Sequence, residues 1–159
     1  VGNFVFNRSK GRVTEFAERV NANDPTNSVF LVALIASTGV ESDATLTDKD
    51  DFAALVSGAT DFATNTGGTR KSLDNTAGIT VTYDDTNDRV DVDVPDQTWT
   101  ALANDGTGGI SDVVFGYDSD STGGTDANVL PMTFHDFAIT PDGSDVTAQI
   151  ATAGFYRAQ

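Results

Sequence analysis

The chain has 159 residues, no cysteine, and 24 acidic against 9 basic residues, a formal net charge of −15. That length fits one domain, residues 1–159, with a real core. The missing cysteines exclude disulfides, thiol catalysis and cysteine-based metal centres, and the acidity argues against nucleic-acid binding, which needs cations along the phosphate path.

The charge is uneven. Residues 1–20 carry Arg8, Lys10, Arg12 and Arg19 against Glu15 and Glu18, a balance of +2, while the remaining 5 cations and 22 acids give −17. A basic end on an acidic body suggests docking on an acidic partner. Phe4, Val5 and Phe6 precede it, read either as an edge strand or as an arm burying Phe4 and Phe6 in a neighbouring subunit. Residues 1–12 are thus a candidate extended docking arm, with Phe4, Phe6, Arg8, Lys10 and Arg12 as its contacts.

Val13, Phe16, Ala17 and Val20 fall at i, i+3, i+4 and i+7, the apolar stripe of a helix that Asn21–Pro25 ends. Val29 to Ala36 is apolar throughout; its shortness and β-branched residues predict a central strand buried on both faces. At eight residues it falls far short of the roughly 20 of a membrane span. With no basic-then-apolar signal at the start, the expectation is a soluble protein without a membrane partner. Thr47 then reads as the cap of a second helix, with Asp48, Asp50 and Asp51 in its first turn and Phe52, Leu55, Val56 and Ala59 as its stripe. Gly58 weakens it.

Gly78 to Trp99 is the clearest strand signal. Ile79, Val81 and Tyr83 alternate with Thr80 and Thr82, and Val90, Val92 and Val94 alternate with Asp91 and Asp93. Period-two alternation predicts an antiparallel hairpin with one buried apolar face and a polar loop, closed by Pro95. This hairpin reads as the centre of the fold. Trp99 reads as half-buried, Ile110 to Tyr117 as a strand, and Val129 to Ile139 as one or two strands around Pro131. Asp142-Gly143 suggests a second hairpin, joining Ile139 to Val146, Ala148 and Ile150. Helix, strand, helix and then a run of strands is an α+β pattern: an antiparallel, sandwich-like sheet core with two short helices in the N-terminal half.

No catalytic signature emerges. The lone histidine, His135, adjoins Asp136, but neighbours on a strand point to opposite faces and do not pair. No nucleophile elbow or phosphate loop occurs, and Gly106, Gly108 and Gly109 lead into a strand instead of a helix. The chain reads as a non-enzyme without a cofactor. Asp118, Asp120, Thr122 and Asp126 imitate a calcium loop around Gly123, but Val129 stands where its bidentate glutamate belongs. A solvated loop is the preferred reading there. Asp84, Asp85 and Asp88 form a lesser cation candidate. The loops at 104–109 and 118–128, with Tyr117 at one margin, are the alternative, a carbohydrate- or host-binding surface.

The order and spacing of four segments carry a resemblance: GNFVFNRSKGRVTEFAERVNANDPTNSVFLVALIAS, DRVDVDVPDQTWTAL, SDVVFGYDSDSTGGTDANVLPMTFHDFAITPDGSDVTAQI and GFYRAQ. Together they resemble small virion structural proteins of tailed bacteriophages, a class that includes capsid decoration (cement) proteins. The resemblance implies a structural, non-enzymatic role in the phage particle, assembled in the host cytoplasm. The implied partners are the major capsid protein or other virion proteins, with copies of the chain as possible partners in an oligomer. It leaves head, neck and tail open and brings no binding residues with it.

Overall fold

The computed structural model describes residues 2–58 and 61–159. Ala59, assigned above to a helix stripe, and Val1, the first residue of the candidate arm, lie outside the described residues. The chain runs through β1 (Phe4–Val5), a 3-10 turn (Asn7–Ser9), α1 (Val13–Ala22), β2 (Val29–Ala36), α2 (Asp43–Leu46), α3 (Phe52–Gly58), a 3-10 turn (Phe62–Thr64) and β3 (Lys71–Leu73). It continues with β4 (Thr80–Asp84), β5 (Arg89–Asp93), β6 (Gln97–Trp99), β7 (Ile110–Asp118), a 3-10 turn (Asp126–Asn128), β8 (Leu130–Ile139), β9 (Val146–Ala148) and β10 (Tyr156–Ala158). The architecture is mixed α+β, with antiparallel sheets ordered β1-β8-β7-β2-β3, β10-β5-β4 and β6-β9.

The inner strands β2 and β7 of the large sheet are buried on both faces, which is why β2 is apolar without alternation. Phe30, Val32, Leu34 and Ala36 point into one core, shared with Val13, Phe16, Ala17 and Val20 of α1 and with Val92 of the hairpin. Ala33 and Ile35 point into a second, shared with Leu46, Phe52, Leu55, Phe6 and Phe134. The helix stripe of α1 therefore packs as its spacing predicts. Asn23, in the left-handed region at φ 50°, closes the helix by donating its N–H to the carbonyls of Arg19 and Val20.

Five expectations are corrected. The middle strand of the large sheet is β7, with β2 beside it. The β4–β5 hairpin has the predicted register but joins the smaller three-stranded sheet, so it flanks the core instead of forming its centre. The second helix divides into two: Ser42 caps α2, Thr47 ends it by donating its hydroxyl to the Asp43 carbonyl, and Asp51 accepts the Ala54 N–H at the start of α3. Trp99 is buried, its indole N–H donating to the Thr69 carbonyl at 3.0 Å. Finally, Asp142-Gly143 does not join two paired strands, because β9 pairs with β6 and the Gly143 N–H donates to the Leu102 carbonyl.

Pro131 lies within a single strand. Register between β7 and β8 shifts between Phe115 and Gly116, whose partners are Thr133 and Pro131. A bulge is where a sheet tolerates a residue without an N–H.

Candidate functional site

The N-terminal segment is an integral edge of the large sheet. Phe4 pairs with Phe134 and Val5 with Thr133. The Phe6 N–H donates to the Met132 carbonyl at 3.0 Å, and the buried Ser9 hydroxyl donates to the Pro131 carbonyl at 2.6 Å. Phe4 stacks on Phe134 with ring centroids 5.0 Å apart, and Phe6, 0% exposed, meets both rings edge-on. The edge-strand reading is the one observed, over Phe4–Val5, and hydrogen bonds from Gly2, Phe6, Asn7 and Ser9 hold the described part of the candidate arm to its own chain. Phe6 is removed from the docking contacts and Phe4 is half-buried, because both rings satisfy their apolar surface within their own chain.

Arg8, Lys10 and Arg12 remain exposed on the turn between β1 and α1. Arg12 pairs with Glu15 at 3.2 Å and lies over the Phe16 ring; Glu15 also accepts from Arg19, and these guanidinium groups, Arg12 first, hold its carboxyl below the usual range. Arg8 reaches only the Asp50 carbonyl at 3.5 Å, and Lys10 only the Asn7 side-chain oxygen at 2.6 Å. Elsewhere Lys49, Arg70, Arg89 and Arg157 are all in ion pairs, and Lys71 lies 5.2 Å from the Trp99 ring centre. Among the described residues, Arg8 and Lys10 are thus the cations with neither a carboxylate nor an aromatic ring as partner. Sequence spacing could not show this, because the pairs that occupy the other cations are formed by the fold.

In the weak calcium candidate the carboxylates are held by partners within the chain. Asp118 accepts the Asp120 N–H, and Asp120 accepts both the N–H and the hydroxyl of Thr122. Asp126 points away to Arg70, which donates to both its oxygens at 2.6 and 2.9 Å, and this holds the Asp126 carboxyl below its ordinary range. Arg70 also donates to Asp61 and lies over the Phe52 ring at 5.0 Å, tying the loop before β3 to the loop before β8. Asp84 is similarly occupied by Asn87 and Arg89. Among the described residues no group of three or more His, Cys, Asp or Glu side chains could hold a metal. Arg70→Ala is expected to cost about 2 kcal/mol, since it strands two partly buried carboxylates. Chemical denaturation checks this, and a loss under about 0.5 kcal/mol would mean that solvent screens both pairs.

Tyr117, the aromatic expected at the loop margin, is buried and stacked on Phe16 at 4.5 Å, so neither long loop presents it to a sugar. His135 lies edge-on to Phe115 and Phe155 at 5.7 and 6.1 Å, with its Nε2 2.9 Å from the Thr133 hydroxyl. Burial lowers its pKa to about 4, while Asp136 is exposed. On β7, the carboxyl of Asp112 is 0% exposed and has no hydrogen-bond partner among the described residues; burial pushes its pKa up. No signal in the sequence singled out Asp112.

No helix among the described residues is long and apolar enough to cross a membrane. Comparison with known proteins yields no matching family model, no matching curated protein and no matching solved structure.

Proposed function

We propose that this chain is a non-enzymatic structural virion protein of a tailed phage, most specifically a head decoration (cement) protein that binds and stabilises the capsid shell. In this reading the sheets form a sandwich-like body, and the turn from Asn7 to Arg12 faces the shell. The acidic loops at 118–128 and at the β4–β5 tip face solvent. The observation that carries it is the pair Arg8 and Lys10, exposed and without a carboxylate on a body whose other cations are engaged. Such a patch steers a protein towards an acidic surface, and many copies on a symmetric lattice multiply a modest contact. Apolar surface buried across capsomer joints adds roughly 25 cal/mol per Å² before association costs. The same docking chemistry would serve at a neck or a tail, so position on the particle is part of the test.

Removing residues 1–12 is a poor experiment, because it uncovers the buried Phe134. The double charge reversal Arg8→Glu, Lys10→Glu leaves that packing intact. Its occupancy on purified particles, read by gel densitometry and reconstruction, is expected to fall about tenfold or more, with unchanged thermal unfolding of the free protein. Full occupancy of the reversed variant would overturn the proposal.

A further inference from the structure

We propose that two copies of this chain pair edge to edge through β4, antiparallel and centred on Thr82, making one continuous six-stranded sheet. Strand β4 is the outer strand of the β10-β5-β4 sheet. Apart from its ladder with β5, no hydrogen bond reaches the backbone of Thr80 to Tyr83 from the rest of the described chain. Native edges are usually blunted by brevity, charge, proline or a bulge. The other outer strands of the two larger sheets are only two or three residues long. β4 has five residues, a register without irregularity and no charge before Asp84.

The apolar face of this sheet is also left unfinished. Val92 is fully buried, Val81 and Val90 are half-buried, and Tyr83 is 58% exposed although it shares their face. Its hydroxyl donates to Glu18 of α1, while the residue is not among those packed against the core and more than half of it lacks a covering residue. A second copy of the same strand supplies one.

Self-complementarity selects the partner and the register. A two-fold axis perpendicular to the sheet keeps both apolar faces on one side, so only residues of the same face lie opposite each other. Centred on Thr82, the ladder sets Thr82 against Thr82, Tyr83 against Val81 twice, and Asp84 against Thr80 twice. Hydroxyl pairs and aromatic–β-branched pairs are favourable cross-strand partners. Each Asp84 carboxylate meets a hydroxyl donor, and the two lie four positions apart, about 14 Å at ~3.4 Å per residue, beyond a screening length of ~8 Å. Asp84 already accepts from Asn87 and pairs with Arg89, so the ladder adds no unpaired charge. Centring on Tyr83 instead would set Asp85 against Val81. Centring on Val81 would set Asp84 against Gly78, where no side chain can donate.

The test uses the purified full chain. Sedimentation from micromolar to millimolar concentration should show a monomer–dimer equilibrium. Thr82→Lys places two ammonium groups opposite each other at the axis, on an exposed side chain, and should weaken association about tenfold or more while leaving thermal unfolding unchanged. An equal mixture of Thr82→Lys and Thr82→Glu should recover the dimer. Because the chain lacks cysteine, Thr82→Cys should oxidise to a covalent dimer faster than Thr122→Cys in the exposed loop. A monomer at every concentration, a dimer insensitive to Thr82→Lys, or equal cross-linking of the two cysteine variants would each overturn the pairing.

Discussion

Replacing Phe134 with alanine is expected to remove about 4 kcal/mol of stability and to detach the N-terminal edge before the rest of the molecule unfolds. The side chain is 0% exposed and lies between Phe4 and Phe6, stacked on one and edge-on to the other. Truncation leaves a cavity and deletes two aromatic contacts. Against the roughly 8–24 kcal/mol expected for a domain of this length, that is a large fraction, with a midpoint drop of about 10 °C. Denaturant unfolding reads the total. Hydrogen exchange at residues 4–9 reads the location: the amide of Phe6, bonded to the Met132 carbonyl, should lose protection first. A loss under about 1 kcal/mol would mean that the edge is loosely held, and would restore the detachable arm.

Acid is expected to destabilise the protein through His135, in a window set by that residue. The unfolded side chain takes a proton near pH 6.5, whereas burial holds the folded one neutral down to about 4. The unfolded state therefore binds more protons between those values, and stability rises with pH there. The contribution is fully present above pH 6.5. It falls by about 2 kcal/mol at pH 5 and about 3 kcal/mol at pH 4. The space around the ring holds Asn3, Thr133 and Gln149, the exposed Asp136, and the Tyr156 and Arg157 side chains of β10. Arg157 is itself a cation, paired with Asp91, and the exposed Asp136 makes no ion pair with the ring, so burial alone sets the His135 shift.

Asp112 acts with the opposite sign. Its folded pKa is raised by burial, so its share of stability declines as pH rises above the ordinary carboxylate value of 3.8. Measuring unfolding in an Asp112→Asn background isolates the histidine slope. His135→Phe should flatten that slope between pH 4 and 6.5. Retention of the full acid loss in that variant would assign the effect to other groups. Asp126 and the other carboxyls held low by hydrogen bonds contribute fully above their ordinary range and lose that share as pH falls through it, from about pH 5 downward, so they overlap only the acid end of this window.

The elements were more legible than their partners. α1 was readable because four apolar residues at helical spacing need only one surface to cover them. β2 was readable because burial on both faces leaves no polar position in the run. The β4–β5 hairpin has its predicted register because a short polar loop constrains strands adjacent in sequence. Partners distant in sequence left no local trace. Thr98 meets Thr147 across 49 positions and Arg70 meets Asp126 across 56, and neither residue type announces the other. Asp142-Gly143 marked a reversal of direction without naming the strand that receives the chain. The basic residues of the candidate site were legible as a cluster, but which of them lacked partners depended on the folded ion pairs. Phe4 and Phe6 were ambiguous because an apolar patch needs a cover, whichever chain provides it.

Strand β1 also sets an order of events during synthesis. Asn3 and Asp136 are hydrogen-bonded across 133 positions, and Ser9 and Pro131 across 122, so β1 has its seat on a strand that is made more than a hundred residues later. Contacts of such separation form late, after shorter loops have closed. Until β8 emerges, Phe4 and Phe6 stay uncovered beside Arg8 and Lys10, in an amphipathic, cationic stretch that a chaperone or a premature contact can capture. The surface proposed to meet the shell acquires its shape only once β8 has been made, so a truncated product lacking β8 should be unable to compete for places on the particle.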